Sequence, residues 1–384
     1  MTKKNRKIDF IYCVVYYASI RREIPVVHFS DKQWEKIRTT YRKWWKGDLG
    51  RPILPYVVNN RDPGRIKPDV PTLAFSNCLD MNISPEQIID RIDYDLSCLE
   101  FLGDSYPWMT MLHFGPGVLA AFIGAIPESR PESVWFHPQK KIPASELHFT
   151  YDPDNIWLNR VKNVYRAGMQ KWGGSVCMAM ADLGGTIDVL ASFLTTEDLL
   201  FCLVDQPKEI KRLVDEVSAL WMQIYNEINE IIKDQQGFSD WGSIFSEKPS
   251  YMLQCDFCYM IGPEMFDEFV RDDLDGIASQ MEKPFYHLDG IGELPHLESL
   301  LSIDSIKGIQ WIPGAGNPLK QDWSNLYKRI SQAGKKIQGY NDIDPYLDGI
   351  IKVLEKPDDF IKMQQIYPSE NKQEILGTLS KYGA

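Results

Sequence analysis

The chain has 384 residues, of which 44% are hydrophobic and 25% charged, and its formal net charge is −11. That balance excludes general disorder and a surface built for broad binding to nucleic acid or anionic membrane. Seven scattered cysteines fit a reducing, cytoplasmic setting better than a secreted disulfide framework.

Lys3, Lys4, Arg6 and Lys7 precede an apolar run from Phe10 to Ile20. The order resembles the basic and hydrophobic parts of a secretory signal. A small-x-small cleavage pattern is missing, Arg21-Arg22-Glu23 follows, and the run is too short to span a bilayer. Residues 1–29 are therefore expected to be a peripheral extension, followed by one domain over 30–384 with no membrane span.

Regular structure becomes readable at Ser30, where Ser30-Asp31-Lys32-Gln33 fits a capping box. Trp34, Ile37, Tyr41, Trp44 and Trp45 then share one helical face, and Gly47 ends the helix. Residues 51–58 read as a first strand and 59–68 as a polar loop. A second helix starts at Ser84-Pro85, turns Ile88, Ile92, Leu96 and Leu99 inward, and stops near Gly103. Residues 106–114 read as the next strand, with Trp108 and His113 as pocket-lining candidates near its end. A short apolar helix spans 118–123, and residues 127–151 form a long irregular segment of the length associated with lids.

A helix over 157–171 leads to a strand at 175–181 that ends in Asp182-Leu183-Gly184-Gly185, with Asp188 beyond. Asp205 is expected to cap the longest helix, whose apolar stripe runs from Ile210 to Ile231. Residues 251–257 read as a strand and 264–281 as a helix. The spacing of Cys255 and Cys258 is that of a CxxC pair, but on a strand the two thiols fall on opposite faces.

Residues 283–290 then form a strand, 294–301 a short helix, and 309–312 another strand. His287 and Asp289 are separated by one residue, so on a strand they share a face, and Gly290 lets the backbone turn away. Elements at 323–333, 336–340 and 346–354 complete the chain, with Gly339-Tyr340-Asn341-Asp342-Ile343-Asp344-Pro345 as another polar strand end. Strands alternating with helices predict a parallel sheet covered by helices. Roughly eight such units close a barrel, where catalytic groups gather at the C-terminal strand ends. An open, doubly wound sheet is the alternative. The chain has no dinucleotide-binding glycine fingerprint, phosphate-binding loop, HExxH or GxSxG.

Five stretches, in this order, resemble the uroporphyrinogen decarboxylase superfamily: Phe114-Gly115-Pro116-Gly117; Asp182-Leu183-Gly184-Gly185 with Asp188-Val189-Leu190; Gly262-Pro263-Glu264-Met265-Phe266; His287-Leu288-Asp289-Gly290; and the segment from Gly339 to Pro345. The resemblance runs from about Trp34 to the C-terminus. It implies a (β/α)8 TIM barrel with its pocket at the C-terminal strand ends. Porphyrinogen decarboxylases of that superfamily carry an arginine-rich motif after the first strand. Here the region reads Val57-Val58-Asn59-Asn60-Arg61-Asp62-Pro63-Gly64-Arg65, too few guanidinium groups for a substrate with many carboxylates.

The zinc-dependent methyltransferases of the superfamily ligate metal with His-x-Cys and a later Cys. This chain keeps His287, has Asp289 at the Cys position, and has no cysteine after Cys258. A metal set of His287 and Asp289, with Cys255 as a further ligand, can hold zinc and polarise an ether or carbonyl oxygen. That suits O-demethylation of a methoxylated substrate, with a separate corrinoid protein taking the methyl group. Catalytic expectations are His287, Asp289, Asp256 and Asp182; substrate-binding expectations are Trp108, His113, Gln310, Tyr340 and Asp342. Two alternatives stay open. One is a decarboxylase or lyase in which His287 and Asp289 act as acid and base without metal; the other is a barrel that binds a ligand without turnover.

Overall fold

The computed structural model describes residue 27 and residues 29–70, 78–110, 114–131, 133–314, 322–339 and 346–384. His113, Tyr340 and Asp342 lie outside the described residues, as does nearly all of the 1–29 segment.

Helix α1 (Asp31–Lys46) forms as its sequence dictates. Ser30 and Gln33 complete a capping box, Gly47 closes the helix in the left-handed region at φ 73°, and Trp34, Ile37, Tyr41 and Trp44 are buried. Its aromatic face meets Tyr106 and Phe245, with ring centroids 5.4–6.2 Å apart. Phe29 joins this core, edge-on to Trp34 at 5.0 Å. Helix α2 (Pro85–Ser97) repeats the capping logic with Ser84 and Gln87. The short α3 (Leu119–Phe122) is followed by α4 (Ile156–Trp172). Asn155 caps α4 by accepting from Trp157 and Leu158, and its amide donates to the Ala121 carbonyl at 3.0 Å. Replacing Asn155 with Ala is expected to cost about 1 to 2 kcal/mol, read as a lower urea midpoint at unchanged slope.

Helices α5 (Thr186–Leu194), α6 (Thr196–Asp205) and α7 (Pro207–Ile232) follow. Asp205 is thus the last residue of α6 and not the cap of the long helix. Pro207 starts α7, because proline is tolerated in a first turn where its missing N–H has no helical partner. A helical run from Pro263 to Ala278 contains a π-helical turn at Asp267–Arg271.

The strands assemble around this helical shell. Strands β7 (Met252–Gln254), β8 (Phe285–Asp289), β9 (Gly308–Ile312), β10 (Lys336–Gly339) and β11 (Phe360–Lys362) make one sheet in the order β11-β10-β9-β8-β7, parallel throughout. Strand β1 (Pro55–Asn59) lies between β12 (Gln365–Pro368), parallel to it, and β2 (Leu99–Gly103), antiparallel to it. Strands β3 (Trp108–Met109) and β6 (Cys177–Met178) pair in parallel. Ile53 bridges to Ile361, tying the β1 end to the large sheet.

Among the described residues these ladders do not join into one eight-stranded cylinder. Between β3 and the final strands, a side chain stands in for a strand. The Gln364 amide accepts from the Tyr106 N–H at 3.1 Å and donates to the Tyr106 carbonyl at 3.0 Å. Both backbone groups of Tyr106 are thereby satisfied, as burial demands.

Three local expectations are corrected. Leu99 belongs to the antiparallel β2 and not to the second helix, because α2 stops at Ser97. The 127–151 segment is not wholly irregular: β4 (Ile126–Ser129) and β5 (Val134–His137) form an antiparallel hairpin. The strand expected over 251–257 ends at Gln254, and a 3-10 turn at Asp256–Met260 follows. That turn brings Cys255 and Cys258 together instead of opposing them. The Cys258 N–H donates to the Cys255 carbonyl at 3.0 Å, and burial pushes the titration of both thiols upward.

Candidate metal centre and active site

Strand β8 alternates strictly at its end, so His287 and Asp289 leave it on one side. Gly290 follows at φ 87°, and a Cβ on Gly314 would lie 2.8 Å from the Gly290 Cα. Glycine at both positions lets the ends of β8 and β9 converge, and the Gly290 N–H closes the contact on the Ile312 carbonyl at 2.7 Å. The same device joins two other resembling stretches: a Cβ on Gly184 would meet the Gly117 Cα at 2.6 Å.

Asp256 reaches the site from the first residue of the 3-10 turn after β7. Asp188, in the first turn of α5, fixes that turn by accepting from the backbone N–H groups of Asp256 at 3.1 Å and Phe257 at 2.8 Å. Burial, and then the Asp256 charge, pushes the Asp188 carboxyl up to about 7. The result is a three-residue cluster. Asp256, His287 and Asp289 each place a ligand atom within 4.8 Å of the others. His287 Nε2 and Asp289 Oδ2 are 3.9 Å apart, too far for a hydrogen bond. Asp256 is exposed and the other two are half-buried. Asp289 Oδ1 is buried and has no hydrogen-bond partner among the described residues. Burial raises the Asp289 carboxyl, His287 pulls it back, and Asp256 raises it further.

A run of buried amides sets the state of His287. Gln310 and Gln338 are fully buried, and they stand in lateral register with His287 across β8, β9 and β10. The Gly242 carbonyl can only accept, so Gln338 presents its NH2 there at 2.6 Å. Its oxygen then accepts from Gln310 at 2.5 Å, which turns the Gln310 oxygen toward His287 Nδ1, also at 2.5 Å. Nδ1 is therefore the protonated nitrogen, and Nε2 carries the lone pair facing the carboxylates. Trp241 packs edge-on against the imidazole, with centroids 4.9 Å apart.

His287, Asp289 and Asp256 are thus brought together. Gln310, expected to line the substrate pocket, is sealed beneath His287 and orients it instead. Asp182 is buried and is not one of the three clustered residues: it accepts from the Gly184 N–H at 3.0 Å and the Tyr251 hydroxyl at 3.4 Å, and burial pushes it up to about 7. That is a turn anchor inside the fold. Cys255 stands outside the described donor group, buried against Cys258. Trp108 lines a large cavity and donates its indole N–H to the Asp240 carbonyl at 3.2 Å.

Sequence reasoning missed Glu293, which is 1% exposed. Its Oε2 accepts from the Tyr286 hydroxyl at 3.3 Å, and burial, then the charges of Asp256 and Asp188, pushes it up to about 10. Its place just beyond the β8 strand end was the only signal available.

The donor set fits a metal of the zinc type. One imidazole nitrogen with its lone pair presented, two carboxylates and an open fourth direction make the ligand count of a catalytic site. Tetrahedral zinc with bonds of about 2.1 Å holds its donors about 3.4 Å apart, so the His287–Asp289 pair at 3.9 Å would close by about 0.5 Å around the ion.

No family model and no curated protein matches the chain. Among solved structures, a methyltransferase from Methanosarcina mazei is similar, with a TM-score of 0.59 over 91% of this chain and 99% of that one, at 14% sequence identity. At that identity the likeness is one of fold: a mixed α/β architecture with a parallel sheet, shared over nearly the whole of both chains.

Proposed function

We propose that this chain is a methyltransferase on a closed (β/α)8 barrel of the uroporphyrinogen decarboxylase type. It moves a methyl group from a small methoxylated or methylated substrate to a separate corrinoid protein in the cytoplasm, with residues 30–384 as the catalytic domain and 1–29 as a peripheral extension. The observation that carries the reading is the convergence of His287, Asp289 and Asp256 at 4.8 Å or less, with the His287 lone pair turned toward both carboxylates. The fold shared with a solved methyltransferase supports it.

His287 Nε2 and one oxygen each of Asp289 and Asp256 would hold zinc. Bound there, the ion supplies a Lewis acid for the substrate's ether oxygen. The protein does the rest. Gln310 holds the imidazole in one tautomer and one orientation. Asp188 pins the turn that carries Asp256. Trp241 packs edge-on against the His287 ring and steadies its position. The C–O bond breaks with its electron pair left on oxygen, and the methyl group passes to the reduced corrinoid of the partner, so no oxidant is required.

The test is to measure the metal content of the full chain, then incubate it with a methoxylated aromatic acid and a reduced corrinoid protein. Demethylated product that depends on zinc is the expected result. Carbon dioxide released from a carboxylated substrate by metal-free protein would replace this reading with the decarboxylase. Ligand binding with neither product would leave a binding barrel.

A further inference from the structure

The largest described cavity, about 920 Å³, does not include the three clustered residues. It is lined from β1, β3 and the final strands, beside the seam that Gln364 bridges. A cleft in the volume range of ligand pockets thus stands open beside a bridged seam. One wall is the face on which Phe101, Val57 and Ile366 stand in register across β2, β1 and β12. The Trp108 ring also lines it, and Tyr94 of α2 adds a second aromatic surface. Ile366 is 62% exposed, a large apolar side chain left at an opening and not folded into the core.

The lining also fixes the charge of the occupant. Lys67 is exposed and, among the described residues, pairs with no carboxylate. The acid on the same wall, Asp95, is already held by Arg91 at 2.9 Å. Among the described residues, the slot therefore has aromatic and aliphatic walls and one cation without a counter-charge. We infer that it binds a ring-bearing carboxylate, with its rings between Trp108 and the Val57–Ile366 face and its carboxylate at Lys67. The slot stands apart from the three clustered residues, so this ligand class is inferred independently of the proposed reaction. Trp108 also ties the slot to the cluster: its N–H holds the Asp240 carbonyl, and the next residue, Trp241, packs on His287.

Calorimetric titration of chelator-treated full chain tests the inference. Benzoate, naphthoate and anthracene carboxylate should bind in rising order, by about tenfold for each added ring. Hexanoate should not bind measurably, and naphthylmethanol should bind about tenfold more weakly than naphthoate. Ile366→Trp, which fills the mouth from an exposed position, should abolish naphthoate binding without lowering the thermal midpoint. Lys67→Met should remove the preference for naphthoate over naphthylmethanol. His287→Ala should bind naphthoate like the wild type while losing methyl transfer, and naphthoate binding by a wild type that transfers no methyl group overturns only the proposed reaction. Absence of naphthoate binding, binding unchanged in Ile366→Trp, or a preference unchanged in Lys67→Met overturns this inference.

Discussion

His287→Ala is expected to lose stoichiometric zinc and to lower turnover by about a thousandfold or more. The substitution removes the only nitrogen donor of the cluster and leaves two carboxylates facing each other. Burial and the Asp256 charge still raise the Asp289 carboxyl, and two carboxylates alone make a weaker zinc site than the set with an imidazole. Losing a Lewis acid forfeits several kcal/mol of transition-state charge stabilisation, which converts to a rate loss of that size. The fold should persist. The variant leaves one buried Gln310 oxygen without its donor, a cost of about 1 to 3 kcal/mol, and a single cooperative unfolding transition should remain. Metal analysis alongside turnover reads the result. A wild type that is active without metal refutes the zinc reading, and a variant that keeps full turnover shows that the site lies elsewhere.

How much of this was legible in the sequence depended on the period of the pattern. The pair His287 and Asp289 could be read because alternation along a strand is strict and Gly290 marks its end. The capping boxes at Ser30 and Ser84 could be read because their partners are three residues away and wholly local. The role of Gln310 could not. It depends on the register of β9 against β8 and β10, which pairs His287 with Gln310 and Gln310 with Gln338, and nothing local encodes the register of parallel strands joined by long crossovers. Cys255 and Cys258 failed for a different reason. A strand and a 3-10 turn place residues three apart on opposite and on adjacent sides respectively, and the boundary between them fell one residue after Gln254. The antiparallel β2 was hidden because Leu99 continues the apolar spacing of α2, although the helix has already stopped. The barrel expectation itself came from counting strand–helix alternations. That count cannot see a side-chain amide completing a seam, as Gln364 does at Tyr106.

Gln338→Leu should weaken zinc binding by about 10- to 100-fold, although Gln338 touches neither the metal ligands nor the site opening. The effect travels through hydrogen-bond direction. Gln338 is anchored by the Gly242 carbonyl and orders Gln310, which in turn holds the proton on His287 Nδ1. Leucine keeps the volume and removes the direction: Gln310 is then free to rotate its NH2 toward His287. In that arrangement Nδ1 becomes the acceptor and the proton moves to Nε2, where it must be displaced before metal binds. Outer-shell partners of ligating histidines carry an effect of this size. The variant should also lose about 1 to 3 kcal/mol of stability, since the Gly242 carbonyl is left buried without a donor. Stability loss alone would be equally expected of a merely structural residue, so the deciding readout is the imidazole itself. Nitrogen chemical shifts of His287 in metal-free protein should show one tautomer, protonated at Nδ1, in the wild type and a mixture in Gln338→Leu. Gln338→Glu, which still offers an oxygen to Gln310, should keep the single tautomer. An unchanged tautomer and unchanged zinc affinity in Gln338→Leu would show that the amide run is packing and not control.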